Sequence, residues 1–166
     1  MKITRLITIF LSLSLLSLFA SDIQISKAYV RAMPPQAKTS AAFMQIKNNS
    51  SKDIYLLSAK SNISKFTELH NVRIQDGMMA MYQVPKILIK ARSTTTLKPG
   101  SFHIMLIGLK TKFLKAGQKI KLNLKFSNNQ MIDLMLPVKK IAMGHMKMKN
   151  TPKCKTCNMK KSMNKM

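Results

Sequence analysis

Acidic side chains are nearly missing from this sequence. Five Asp and Glu stand against 29 Lys and Arg in 166 residues, a formal charge of +24. Catalytic acid–base chemistry therefore has almost nothing to draw on. No Gly-x-Ser-x-Gly elbow and no phosphate-binding glycine loop is present. Cysteine is confined to Cys154 and Cys157 near the C-terminus, so the preceding chain has no disulfide framework. Aromatic residues make up only 6%. The positive residues are mostly scattered lysines with few aromatics between them, which leaves no stacking platform for nucleic acid. They read as a solvated surface or, more sharply, as a face for anionic lipid headgroups or an acidic partner.

No apolar run reaches the roughly 20 residues of a membrane span. The longest, Leu6 to Phe19, follows Met-Lys-Ile-Thr-Arg and ends at Ala20-Ser21-Asp22. A basic start, a short apolar stretch and a small residue at the break describe a secretory signal peptide over residues 1–20. Leu18 stands where a small residue is usual, and no cysteine follows the break, as a lipoprotein would require. The chain is expected to be exported, with 146 of its 166 residues remaining and a charge of about +22. That length suffices for one domain with a real core, expected over residues 21–140.

What is present is a series of short alternating segments separated by turn residues. Ile23–Val30, Ala41–Lys47, Asp53–Ser58, Phe66–Ile74, Met78–Val84, Thr94–Lys98, Phe102–Gly108, Gln118–Phe126 and Met131–Val138 read as strands, whereas Pro85–Ser93 has no clear pattern. Asp76-Gly77 between two strand-like runs is a hairpin signal. Even spacing without a long 3.6-residue period points to an all-β antiparallel sandwich or small barrel. From Ile141 the character changes. Residues 141–166 hold six of the fifteen methionines, both cysteines and His145, and read as a flexible tail.

The stretch Glu68–Lys110 carries the other two histidines, each tied by spacing to a methionine. His103 and Met105 are two residues apart on a strand and so project from one face. If Asp76 and Gly77 are the two central turn residues, Val72 faces Met81, and His70 lies one diagonal step away on the same face. A three-residue loop would break that arrangement. Imidazole with thioether is a soft, uncharged donor set suited to Cu(I) rather than to calcium, magnesium or manganese. Taken singly, each methionine also reads as core filler and each histidine as a structural residue.

The order His70, ten residues, Met81, twenty-one residues, His103, one residue, Met105 resembles the signature of the periplasmic PCu(A)C copper chaperones. So do Glu68-Leu-His70, Asp76-Gly-Met-Met-Ala-Met81 and the run Leu97–Lys110, within a likeness covering roughly Ile23 to Val138. Asn71 departs from the methionine or glutamate of many members. The resemblance implies a cupredoxin-like β-barrel holding Cu(I) through His70, Met81, His103 and Met105. It also implies delivery of copper to the Cu(A) centre of cytochrome c oxidase, alongside Sco-type proteins. Storage or resistance would use the same residues. A blue-copper electron carrier needs a thiolate with two histidines, which the strand region lacks.

The tail offers a second candidate set, Met143, His145, Met146, Met148, Cys154 and Cys157. A Cys-x-x-Cys pair binds soft metals, forms a disulfide or acts as a redox motif. Some members of the resembled family carry His/Met-rich C-terminal extensions that bind additional copper, which implies the same for His145 and its neighbouring methionines.

Overall fold

Among the described residues, ten strands are built from this pattern. A computed structural model describes residues 22–75, 78–111 and 114–140. The strands are β1 (Ile23–Arg31), β2 (Thr39–Asn48), β3 (Ile54–Ser61), β4 (Ser64–Gln75), β5 (Met78–Gln83), β6 (Ile87–Ile89), β7 (Thr94–Leu97), β8 (His103–Leu109), β9 (Lys119–Phe126) and β10 (Met131–Lys139). Residues 1–20, expected to be a signal peptide, and the tail candidates Met143, His145, Met146, Met148, Cys154 and Cys157 lie outside the described residues.

The strand order is β5-β4-β8-β2-β1-β10-β9-β3-β6, with β7 also paired to β2. All pairings are antiparallel except β1 with β10, which run parallel where Val30 meets Val138. Two antiparallel layers, one around β2 and β8 and one around β9, are thus joined by a short parallel seam. The antiparallel sandwich expected from the sequence is present. The parallel seam was not foreseeable from local pattern, because it joins the first and last strands.

The core lies between the layers. Ile120, Leu122, Leu124 and Phe126 of β9 are buried on one face, the face its alternation picks out. Leu69 of β4, Ile104 and Leu106 of β8, and Ala42, Met44 and Ile46 of β2 meet them in one cluster. The unassigned Pro85–Ser93 region contains β6. Its Ile87 and Ile89 are fully buried while Leu88 is outside, a period-two signal too short to recognise in three residues. Gly108 has φ of +66°, and a Cβ there would stand 3.0 Å from Lys65 Cβ. Only glycine lets β8 pass β4 this closely.

The turn after β2 is organised by a buried asparagine. Asn48 Nδ2 donates to Lys52 O at 2.8 Å and Ile89 O at 3.1 Å, and its Oδ1 accepts from Ser50 N and Oγ. The side chain is fully buried and ties the β2–β3 turn to β6. Replacing Asn48 with leucine leaves those carbonyls and the Ser50 amide without partners. Chemical denaturation should register a loss of about 2–4 kcal/mol, with the face that carries His70 and His103 unaffected.

Candidate metal centre

β4 and β8 pair so that His70 lies directly opposite His103, and Glu68 opposite Met105. On the other side of β4, Val72 lies opposite Met81 of β5, and Gln75 pairs with Met78 across the hairpin. The register expected of a two-residue Asp76-Gly77 turn is therefore the one observed, although those two residues are outside the described set. Because strand faces alternate, Glu68, His70, Met81, His103 and Met105 all project from one face of the first layer. That face is turned away from Leu69, Ile104 and Leu106, so the group sits near the protein surface and not in the main core.

The two imidazoles form the centre of the group. Their ring centroids are 5.8 Å apart at an interplanar angle of 40°. An imidazole nitrogen bonds a metal ion at about 2 Å, which puts the centres of two rings sharing an ion on the order of 5–6.5 Å apart. The observed spacing falls in that range. His103 is only 4% exposed, packed toward Phe43, which in turn contacts Tyr29. Beside the rings, a cavity of about 240 Å3 is lined by Met81, His103 and Met105 together with Phe43, Met33 and Arg31. Met81 stands at its outer side, 62% exposed, on the edge strand β5.

Hydrogen bonds dispose of one nitrogen on each ring. His103 Nδ1 lies 2.8 Å from Ser101 O, an acceptor only, so this nitrogen carries the proton and leaves Nε2 its lone pair. His70 Nε2 lies 2.9 Å from Glu68 Oε2. His70 Nδ1 is buried and has no hydrogen-bond partner among the described residues. A buried polar atom without a partner costs about 1–3 kcal/mol. Such an atom calls for a functional explanation. Among the described residues, no three His, Cys, Asp or Glu side chains are grouped to hold a metal ion. The side chains that share this face with the two imidazoles include the thioethers of Met81 and Met105, and imidazole with thioether is a donor set suited to a soft ion.

His70, Met81, His103 and Met105 thus come to one face, with Val72 opposite Met81 in the register expected of the hairpin. Sequence reasoning missed four others. Ser101 and Glu68 orient the rings, and Arg31 and Met33 line the cavity. Glu68 had a local signal, being two residues from His70 on a strand. Arg31 and Met33 had none, since only the β1–β2–β8 packing brings them in.

The fold and this face define a cupredoxin-like domain of the PCuAC type. The copper-bound PCuAC domain from PmoF2 superposes with a TM-score of 0.62 at 18% identity, covering 73% of this chain and 95% of that domain, a likeness of fold alone. Apo-DR1885 from Deinococcus radiodurans is 32% identical, with a TM-score of 0.58 over 76% of this chain and 84% of its own. Its CuI-DR1885 form is 30% identical, with the same TM-score over 73% and 82%. In sequence, the "Putative lipoprotein Lxx21020" of Leifsonia xyli subsp. xyli is 37% identical over 121 residues, 72% of this chain and 71% of that protein. The LpqE-like family, described as "Putative lipoprotein LpqE-like", matches residues 23–138. The chain belongs to this family, of the PCuAC type.

Burial lowers the affinity of His103 for a proton below its ordinary value of 6.5, the nearby His70 adds to this, and the Ser101 carbonyl opposes it. A histidine that takes up its proton more readily unfolded than folded makes stability rise with pH across the interval between the two values. The metal-free protein should therefore hold its full stability above about pH 6.5 and lose part of it as the pH falls below. Thermal melts across that range should show this slope, and a flat profile would refute it.

Proposed function

We propose that this protein is an exported Cu(I) carrier that binds one ion through His70, Met81, His103 and Met105. The observation that carries the reading is the opposition of two imidazoles whose outer nitrogens are committed to Glu68 and Ser101, with Met81 and Met105 beside them. Neutral imidazoles and thioethers hold a monovalent ion without the cost of burying anionic ligands. CuI-DR1885, 30% identical to this chain, supports the same cargo.

No substrate is turned over. A site without thiolate can yield Cu(I) to a partner's cysteines by ligand exchange, with the exposed Met81 the accessible donor. The recipient in this reading is the Cu(A) subunit of cytochrome c oxidase, or a Sco-type protein that serves it. The setting is the periplasm, reached through a signal peptide over residues 1–20. The lysine-rich surface adds a peripheral attraction to anionic membrane and none specific to nucleic acid. In the tail, His145 with Met143, Met146 and Met148, and the Cys154/Cys157 pair when reduced, recruit a second copper ion. The alternative within the same chemistry is periplasmic copper storage or resistance.

Titration with Cu(I), read by X-ray absorption, should give two nitrogen and two sulfur scatterers at the first ion bound. His103→Ala should weaken that ion by at least about 100-fold, the upper end of what even an outer-shell change costs. Unchanged affinity would end the copper-carrier reading. A chain ending at Lys140 should bind one ion where the full chain binds two, and equal stoichiometry would remove the tail from the account.

Delivery and storage part company in a deletion strain. Loss of respiratory oxidase activity on limiting copper is the outcome expected of delivery. Normal oxidase with sensitivity to high copper would assign the protein to detoxification instead.

A further inference from the structure

We propose that Glu68 is a positioning residue that holds His70 in the Nε2–H tautomer, so that Cu(I) is taken up by Nδ1 of His70 and by Nε2 of His103. The proposal rests on the copper-carrier reading above and specifies how its first ring is presented. Its basis is a set of contacts that the four-donor pattern does not contain. Glu68 Oε2 is 2.9 Å from His70 Nε2, and a carboxylate can only accept there, so the proton belongs to Nε2. Nδ1 of the same ring is buried and has no partner among the described residues. On His103 the arrangement is inverted, with Nδ1 donating to Ser101 O at 2.8 Å. The two rings, directly opposed in register with centroids 5.8 Å apart, therefore leave different nitrogens without a proton.

Composition makes this use of a carboxylate informative. Glu68 is the only glutamate in a chain with 29 Lys and Arg. Nevertheless its ion-pair partner among the described residues is a histidine. Its position follows from the strand period, because residue 68 shares a face with residue 70 and lies opposite Met105. The carboxylate is thus close to two of the four donors while remaining outside the donor set. A carboxylate on the far nitrogen of a metal-binding imidazole fixes tautomer and ring orientation and raises the basicity of the ligating nitrogen. It also places one negative charge beside a site whose four donors are neutral, in a protein whose long-range field repels cations.

The test is nitrogen-15 long-range correlation NMR of the full chain, with His70 assigned by its loss in His70→Gln. In metal-free protein His70 should appear as the Nε2–H form and His103 as the Nδ1–H form. On adding Cu(I), a diamagnetic ion, the large shifts should fall on Nδ1 of His70 and Nε2 of His103. A proton on Nδ1 of metal-free His70, or a Cu(I) shift on its Nε2, would overturn the assignment while leaving copper binding intact. If Cu(I) moves neither ring, the copper-carrier reading fails and takes this one with it.

Glu68→Leu should mix the His70 tautomers and weaken Cu(I) about 10- to 100-fold in competition with a chromogenic Cu(I) chelator. Glu68→Gln, whose side-chain carbonyl can still accept from Nε2–H, should restore the single tautomer and recover most of that loss. A Glu68→Leu protein within about twofold of wild type would refute the positioning role, since the outer-shell partner would then contribute nothing.

Discussion

The antiparallel register between β4 and β8 is the constraint on which the rest depends. It sets His70 opposite His103 and Glu68 opposite Met105, and a slip of one residue would turn every one of these side chains to the other face. The core prevents the slip. Leu69 alternates with Glu68 and His70, and Ile104 and Leu106 alternate with His103 and Met105, so a shifted strand would carry imidazoles into the apolar cluster. Gly108 adds a steric marker, since β8 can approach Lys65 this closely only where there is no Cβ. The outer-face chemistry is thus held in place by the packing of the inner face, without a residue dedicated to the purpose.

Electrostatics then limits what the face can bind. A protein of formal charge +24 repels cations at long range, and Arg31 contributes to the wall of the cavity beside the rings. Burial depresses proton uptake by His103, which keeps that ring neutral and its free nitrogen available. Neutral donors and a nearby positive charge disfavour a hard divalent ion, which seeks carboxylate oxygen. A soft monovalent ion suffers less from the field and gains more from thioether. The carboxylate of Glu68, on the far side of His70, offsets part of the repulsion without becoming a hard ligand.

Much of this was legible in the sequence because much of it is local. The alternation of Ile120, Leu122, Leu124 and Phe126 identified β9 and its buried face. Asp76-Gly77 located the hairpin, and counting outward from it placed Met81 opposite Val72, as the β4–β5 register has it. The spacing of His103 and Met105 put them on one face for the same reason. Non-local pairing was not legible. Nothing in residues 64–109 says that β4 lies beside β8, so the direct opposition of the two histidines could only come from the family pattern. The parallel seam of β1 with β10, the three-residue β6, and the approach of Arg31 and Met33 to the cavity all depend on contacts between distant segments. The hydrogen bond of His103 to Ser101 spans two residues, yet the ring orientation it requires is not encoded in spacing alone.

Retention and release of an ion ask opposite things of a site, and in the proposed carrier the arrangement would divide them between two kinds of donor. The imidazoles are inner and fixed. His103 is 4% exposed, and each ring is anchored through its outer nitrogen. The thioether of Met81 is outer and exposed, on an edge strand whose Met78, Met79 and Met81 are all largely exposed. Fixed groups lose little freedom on binding, so the imidazoles supply affinity at low entropic cost. An exposed methionine with three rotatable bonds gains less from binding and gives way more readily to an incoming donor. A thiolate approaching along the β5 edge would therefore meet the most replaceable ligand first. Release can then proceed by successive replacement, with no need to break the buried β4–β8 pairing that holds the rings.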